Sequence, residues 1–188
     1  MPKSYIFDLD GTLIDSEKLI RRTFIQITKK LAPNRIQIAN KIIIGPPLRE
    51  TISNILGNSK KELLEKFQKD FMRKHDGNLL TQCESFPNST KILNELFISG
   101  NHLALATNKR KIPTLKLINH YGWGRFFKQI ECSDSESKFR SKSQLLQEII
   151  KKNGEFKSAF FIGDTTNDGN AAKVNNLEFI ETQCSGLI

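Results

Sequence analysis

Two aspartates stand two residues apart in Asp8-Leu9-Asp10-Gly11-Thr12, directly after the apolar run Tyr5-Ile6-Phe7. On a strand that spacing points both carboxylates to one side. They emerge at the carboxyl end, where open α/β sheets place their ligands, and Gly11 lets the chain turn away at once. Close carboxylates repel each other, so a cation between them is the natural remedy. Taken alone, the pair would read as a strand ending in an ordinary acidic turn. Three further segments argue against that: Thr107-Asn108-Lys109, then Lys142 in Arg140-Ser141-Lys142-Ser143, then Gly163-Asp164-Thr165-Thr166-Asn167-Asp168. Each ends an apolar run or opens a helical pattern with polar groups.

The elements that must hold these groups fall into two patterns. Residues 16–84 read as helical, with Leu19, Ile20, Phe24, Ile27 and Leu31 at helical spacing. Pro33-Asn34 ends that helix and Gly45-Pro46-Pro47 makes a loop. A short helix follows from Leu48 to Gly57. Ser59 is expected to cap the next helix, with Glu62 in capping-box position. From residue 85 helices and strands alternate. Pro87 opens a helix closed by Gly100, 102–106 and 127–132 read as strands, and 111–121 and 143–152 as helices. Residues 158–162 read as another strand, a last helix starts at Asp168, and 177–180 form the last strand. Such alternation predicts an α/β fold with a doubly wound parallel sheet. The expected domains are a core from 1–15 and 85–188 and an inserted all-helical domain, 16–84, hinged beside the acidic pair as a lid.

The bulk properties exclude several classes. At 188 residues the chain fits one generous domain or two small ones, and no apolar run is long enough to cross a bilayer. Met1-Pro2-Lys3-Ser4 leads straight into a strand, so no signal peptide is expected and the protein is read as cytoplasmic. Cys83, Cys132 and Cys184 form no metal-ligand spacing, and the three histidines are scattered. The net charge of +9 comes from lysines spread along the chain without a nucleic-acid module pattern. That suits attraction of a small phosphorylated molecule rather than a dedicated nucleic-acid partner. Oligomeric state is not readable.

With all four segments in order, the chain resembles the haloacid dehalogenase-superfamily phosphatases over nearly its whole length. The resemblance is nearest to phosphoglycolate phosphatase-like members with a helical C1-type cap. It rests on Phe7-Asp8-Leu9-Asp10-Gly11-Thr12-Leu13-Ile14-Asp15-Ser16 and on the other three segments. Two stretches support it: Pro87 through Lys109, and the cap-loop-like Gly45-Pro46-Pro47-Leu48. The resemblance implies a Rossmann-like core and Mg²⁺-dependent hydrolysis of a small phosphorylated metabolite. Asp8 would be the nucleophile that forms an aspartyl-phosphate, and Asp10 the proton donor and acceptor. Thr107 and the neighbouring amides would hold the phosphoryl oxygens, and Lys142 would offset negative charge. Lys138 competes with Lys142 for that role. Expected Mg²⁺ ligands are Asp8, the backbone carbonyl of Asp10 and Asp164, with Asp168 orienting the cation or Lys142. Thr12, Asn108 and Arg49 are expected to contact substrate.

An aspartate at position 10 sets the chain apart from the dehalogenase and phosphonatase branches. A β-phosphoglucomutase-like phosphosugar mutase shares all four segments and is the alternative activity. A non-catalytic binding module for nucleic acid or protein is the third. Set against relatives, the chain is expected to lack a further helix after its last strand, stopping at Ile188 soon after Cys184-Ser185-Gly186.

Overall fold

A computed structural model describes residues 2–58, 60–134 and 140–182. Ser59, Lys138 and the stretch from Cys184 to Ile188, on which several expectations rest, lie outside the described residues. In chain order the elements begin with β1 (Ser4–Phe7), β2 (Ile14–Asp15), α1 (Glu17–Leu31), α2 (Ile36–Ala39), α3 (Leu48–Leu56) and α4 (Lys61–Gln82). They continue with β3 (Glu84–Ser85), α5 (Ser89–Ile98), β4 (His102–Thr107), α6 (Lys111–His120) and β5 (Phe127–Cys132). Then follow α7 (Lys142–Lys152), β6 (Phe160–Gly163), α8 (Thr166–Val174) and β7 (Glu178–Glu181). The chain divides into two compact units, Met1–Asp15 with Glu84–Ile188, and Ser16–Cys83.

The first unit is an α/β sheet unit. Its five strands run parallel in the order β5-β4-β1-β6-β7. Central strands buried on both faces must be apolar throughout. Ile6 and Phe7 of β1 and Leu103 through Ala106 of β4 are accordingly buried. Ile6, Ala104 and Ala106 pack with Leu145, Leu146 and Ile149 of α7, Phe161, and Ala171 and Ala172 of α8. By strand alternation Phe7, Leu103 and Leu105 face the other side, where Phe7 meets Phe127 edge-on. β7 lies at a sheet edge with Glu178, Ile180 and Glu181 exposed.

The second unit is all-helical. Phe24 of α1 packs with tilted rings against Phe67 and Phe71 of α4, and Ala39, Ile52, Ile55 and Leu56 join the cluster. α4 begins after Lys60 with Glu62 in its first turn.

Several boundaries differ from the periodicity. α5 begins at Ser89, two residues after Pro87, because Asn88 takes a left-handed conformation and Ser89 donates to the Leu13 carbonyl. α7 begins at Lys142 because Ser141 and Gln144 form a capping box. α8 begins at Thr166 because Thr165 caps it with Asp168 as the partner three residues on. β6 starts at Phe160, since residues 154–158 form a 3₁₀ turn. The antiparallel pair β2–β3 was not visible in the pattern; it joins Ile14 to Ser85 and Asp15 to Glu84.

Candidate active site

The parallel topology brings the ends of β1, β4 and β6 side by side, and each delivers polar groups there. Asp8 follows β1, and its backbone N–H donates to the Ile162 carbonyl of β6 at 2.8 Å. The Asp8 side chain is buried. Lys142, at the first position of α7, reaches it with Nζ 2.5 Å from Asp8 Oδ1. The same ammonium lies 3.0 Å from Asp168 Oδ1, donates to the Ala106 carbonyl at 3.2 Å, and sits 5.6 Å from the centre of the Phe161 ring. Only 3% of Lys142 is exposed, so its charge is tied to these partners rather than to water.

Asp168 has both carboxylate oxygens engaged. Oδ1 faces Lys142, while Oδ2 accepts from the Thr165 N–H at 3.2 Å and from the Thr165 hydroxyl. It is therefore both the capping partner of α8 and a brace for Lys142. A Cβ at Gly163 would stand 2.7 Å from the Asp168 Cβ, so a glycine ends β6 because the carboxylate needs the space. The same logic holds at Gly11, whose φ is +85° and whose added Cβ would fall 1.9 Å from Asp164 Oδ2.

Asp10 follows β1 in the turn. Lys109 donates to both its oxygens, at 2.8 and 2.9 Å. Thr107 ends β4, is buried, and its hydroxyl accepts from the Lys109 N–H at 3.1 Å. Asn108 is half-buried beside it. Thr12 is fully buried, and its hydroxyl, like Asp164 Oδ1, has no hydrogen-bond partner among the described residues. Buried polar atoms without partners are rare, and here they mark places where a ligand would be met. Arg49 belongs to the helical unit, where it is exposed in the first turn of α3 and lines a cleft of about 150 Å³ with Ile52, Lys61, Leu64, Glu65 and Gln68.

The electrostatics fit a divalent cation. Oxygens of Asp8, Asp164 and Asp168 lie within 4.8 Å of one another. Burial pushes the Asp8 carboxyl up; Lys142 opposes this, while Asp168 and Asp164 reinforce it. Burial and then Asp168 push Asp164 up to about 6. Lys142 is held above the usual lysine range, because Asp8 and Asp168 outweigh its burial. With all four carboxyls ionised, Asp8, Asp10, Asp164 and Asp168 against Lys109 and Lys142 leave two negative charges over. One divalent cation would offset them, and carboxylate oxygens are what Mg²⁺ takes.

Sequence reasoning quoted Lys109 in its segment but assigned it no role; its signal is the position two residues past Thr107. It missed the support behind Lys142, where Arg140 bonds Glu131 at 2.6 Å. It also missed Thr165 as the anchor of Asp168, although Thr165-x-x-Asp168 is a capping-box pattern.

Comparison with known proteins adds to this geometry. Residues 5–182 match the family of haloacid dehalogenase-like hydrolases. The pyrophosphatase PpaX of Bacillus velezensis is 28% identical over 170 residues, covering 89% of this chain and 77% of that protein. A haloacid dehalogenase-like hydrolase from Bacteroides fragilis superposes with a TM-score of 0.85 at 20% identity, covering 100% of this chain and 90% of that one. CbbY from Rhodobacter sphaeroides, solved in complex with phosphate, gives 0.75 at 20% identity over 97% of this chain and 87% of its own. At such identities the two structures speak to the fold alone.

Proposed function

The chain belongs to the haloacid dehalogenase-like hydrolase family, and from that premise we propose that it is a Mg²⁺-dependent phosphatase acting on a small phosphorylated metabolite. The observation that carries this reading is the buried Asp8–Lys142–Asp168 chain beside the unpartnered oxygen of Asp164. A phosphate dianion repels an anionic nucleophile, so catalysis depends on alignment and charge compensation. Asp8 attacks phosphorus and becomes an aspartyl-phosphate, which splits the displacement into two steps. Lys142 holds the attacking carboxylate in place and offsets charge on the transferring group. Thr107 and the Thr12 hydroxyl offer hydrogen bonds to its oxygens. Asp10 donates a proton to the leaving oxygen, then takes one from the water that opens the intermediate. Asp8, the Asp10 carbonyl and Asp164 would hold Mg²⁺, with Asp168 braced behind Lys142. When bound, the cation draws charge from the phosphoryl oxygens and lets the crowded carboxylates stay ionised.

Lys109 favours a narrower reading. Its ammonium sits on Asp10, the group that meets the leaving oxygen, so positive charge stands where the leaving group departs. That suits an anionic leaving group, and pyrophosphate, named in the relative from Bacillus velezensis, is a substrate of that kind. Substrate choice is assigned to the helical unit, with Arg49 as its candidate residue.

The test is phosphate release with Mg²⁺ from p-nitrophenyl phosphate, pyrophosphate, phosphoglycolate, sugar phosphates and nucleoside monophosphates. Release is expected with Mg²⁺ and lost in EDTA. Asp8→Asn is expected to lower turnover by about 10³-fold or more. Release that survives in Asp8→Asn would overturn the mechanism. Conversion of a sugar phosphate into its isomer without net release would favour a mutase.

A further inference from the structure

Glu131 sits at the end of β5, a position where strand alternation leads one to expect an unremarkable side chain. It is instead 4% exposed and gathers three donors. Its Oε2 accepts from Arg140 at 2.6 Å, and its Oε1 accepts from Gln129 at 2.6 Å and Lys152 at 3.1 Å. Arg140 and Lys152 flank one helix. Arg140 lies two residues before Lys142, the first residue of α7, and Lys152 is the last residue of α7. A single buried carboxylate thus ties both ends of that helix to the neighbouring strand.

Other bonds reinforce the strap at the end nearer Lys142. Arg140 also donates to the Cys132 carbonyl at 3.3 Å, and its backbone N–H to the Ser133 carbonyl at 3.0 Å. At the far end Asn153 bonds Gln129. Burial alone would push the Glu131 carboxyl up, yet its hydrogen bonds from Gln129, Arg140 and Lys152 outweigh burial and hold it below the usual range. It stays an anion.

We propose that Glu131 is a positioning residue: with Arg140 it fixes α7 along β5 and so sets the Lys142 ammonium between Asp8 and Asp168. A buried ion pair is often no better for stability than apolar packing, so its presence here calls for another explanation. Lys142 must hold its position against two carboxylates and a carbonyl closely, and misplacement by about 1 Å costs up to 10²-fold in rate. The apolar face of α7, Leu145, Leu146 and Ile149, holds the helix against the sheet, and Asn175, just after α8, bonds Ser143 in the first turn of α7. The strap adds directional bonds to β5 at both ends of the helix. Glu131 touches neither substrate nor reacting atoms; it acts through Lys142. This inference rests on the reading of Asp8 as nucleophile for its kinetic consequence, but not for its geometric one.

Two variants test it. Glu131→Gln removes the charge, and Glu131→Met with Arg140→Met removes both charges together, so that no ion is left buried alone. Glu148→Gln removes the other carboxylate beside Lys152, at 3.2 Å, and serves as the control. The first readout is the rate at which acetic anhydride labels Lys142, followed by mass spectrometry on folded protein, with Lys173 as the surface reference. Both test variants are expected to label Lys142 about fivefold faster than the parent, through local opening of the first turn of α7, with Glu148→Gln unchanged. The second readout is kinetic: kcat falls about tenfold with KM within twofold. Parent-like protection of Lys142 in the folded double variant overturns the proposal, as does a rise in KM at constant kcat. If the parent protein releases phosphate from nothing, the phosphatase reading fails, and labelling still decides the role of Glu131.

Discussion

Lys142 with Asp8 and Lys109 with Asp10 are two ammonium–carboxylate pairs at the end of the same sheet, and they are built differently. Lys142 touches Asp8, Asp168, the Ala106 carbonyl and the Phe161 ring, and the helix that carries it is capped at its first turn and strapped at both ends. The side chains of Lys142 and Asp8 are 2% and 9% exposed. Lys109 stands in the bend between β4 and α6 and meets both oxygens of Asp10, and their side chains are 6% and 17% exposed. A charge that must stay fixed through a reaction is braced from several sides. A carboxylate that must pick up a proton and hand it on needs access to water and to the leaving group, and its partner rides on a flexible stem. On the proposed mechanism the contrast would suit the first pair to charge compensation and the second to proton traffic.

The largest expected effect comes from removing the braced charge. Lys142→Met is expected to lower kcat by about 10²–10³-fold, the range seen when one fixed electrostatic contact to a reacting group is lost. It also leaves Asp8 and Asp168 buried together, so the metal-free variant should be less stable by about 3–5 kcal/mol at neutral pH, read by denaturant unfolding in EDTA. The loss should be the same for p-nitrophenyl phosphate and for an alkyl phosphate, because Lys142 acts on the nucleophile side. Lys109→Met is expected to be milder, about 5–10-fold in kcat, the factor that about 1 kcal/mol represents. Its loss should depend on the substrate. An alkyl leaving group needs a proton from Asp10, and the phosphate that leaves from pyrophosphate carries its charge beside Lys109, so both should suffer, whereas p-nitrophenolate needs no proton and spreads its charge over the ring. Equal losses on all three substrates would erase the distinction between the two pairs.

The two pairs also differ in how far the sequence exposed them. β1, β4 and β6 were visible because strands buried on both faces cannot carry polar residues, and their ends were visible where Asp8, Thr107 and Asp164 interrupt the apolar runs. Helices α1, α3 and α4 followed from their periodicity, since Phe24, Ile27, Phe67 and Phe71 must share one core, whereas the four-residue α2 carried no pattern. Contacts between distant residues were not visible. Lys109 reaches back 99 residues to Asp10, and nothing local to either marks the meeting. Glu131 reads as a solvated position in a strand until Arg140 and Lys152 are seen to converge on it. The β2–β3 pair is two residues on each side, too short to carry a pattern. Asp168 reads, one turn after Asp164, as a residue that orients the cation or Lys142; its bonds from Thr165 are local, while the ion pair that Lys142 makes with its other oxygen comes from tertiary placement. Residue types therefore announced which groups gather at the sheet end, whereas their division into a braced pair and an open pair lay in the packing.

The smallest expected effect separates the pairs by pH. Without metal, burial and the neighbouring Asp168 raise Asp164 to about 6 from an ordinary value of 3.8. A carboxyl whose pKa is higher folded than unfolded favours the folded state when protonated. Its contribution is complete below about pH 4 and is lost as pH rises through about 6. In EDTA the melting temperature should therefore fall from about pH 4 to pH 6, and the Asp8 carboxyl, which burial raises to about 8, extends the fall toward pH 8. Mg²⁺ and protons compete for the same oxygens, so the rise in melting temperature on adding Mg²⁺ should grow over the same interval. With Mg²⁺ at about 100 times its Kd, binding adds about 2.7 kcal/mol, or about 5–10 °C for a chain of this size at pH 7.5, and much less at pH 5. Lys109→Met should leave this increment unchanged, because Lys109 compensates Asp10 and not the cluster of Asp8, Asp164 and Asp168. A Mg²⁺ increment that is flat from pH 5 to 7.5, or one that collapses in Lys109→Met, would place the cation at the open pair and not beside the braced one.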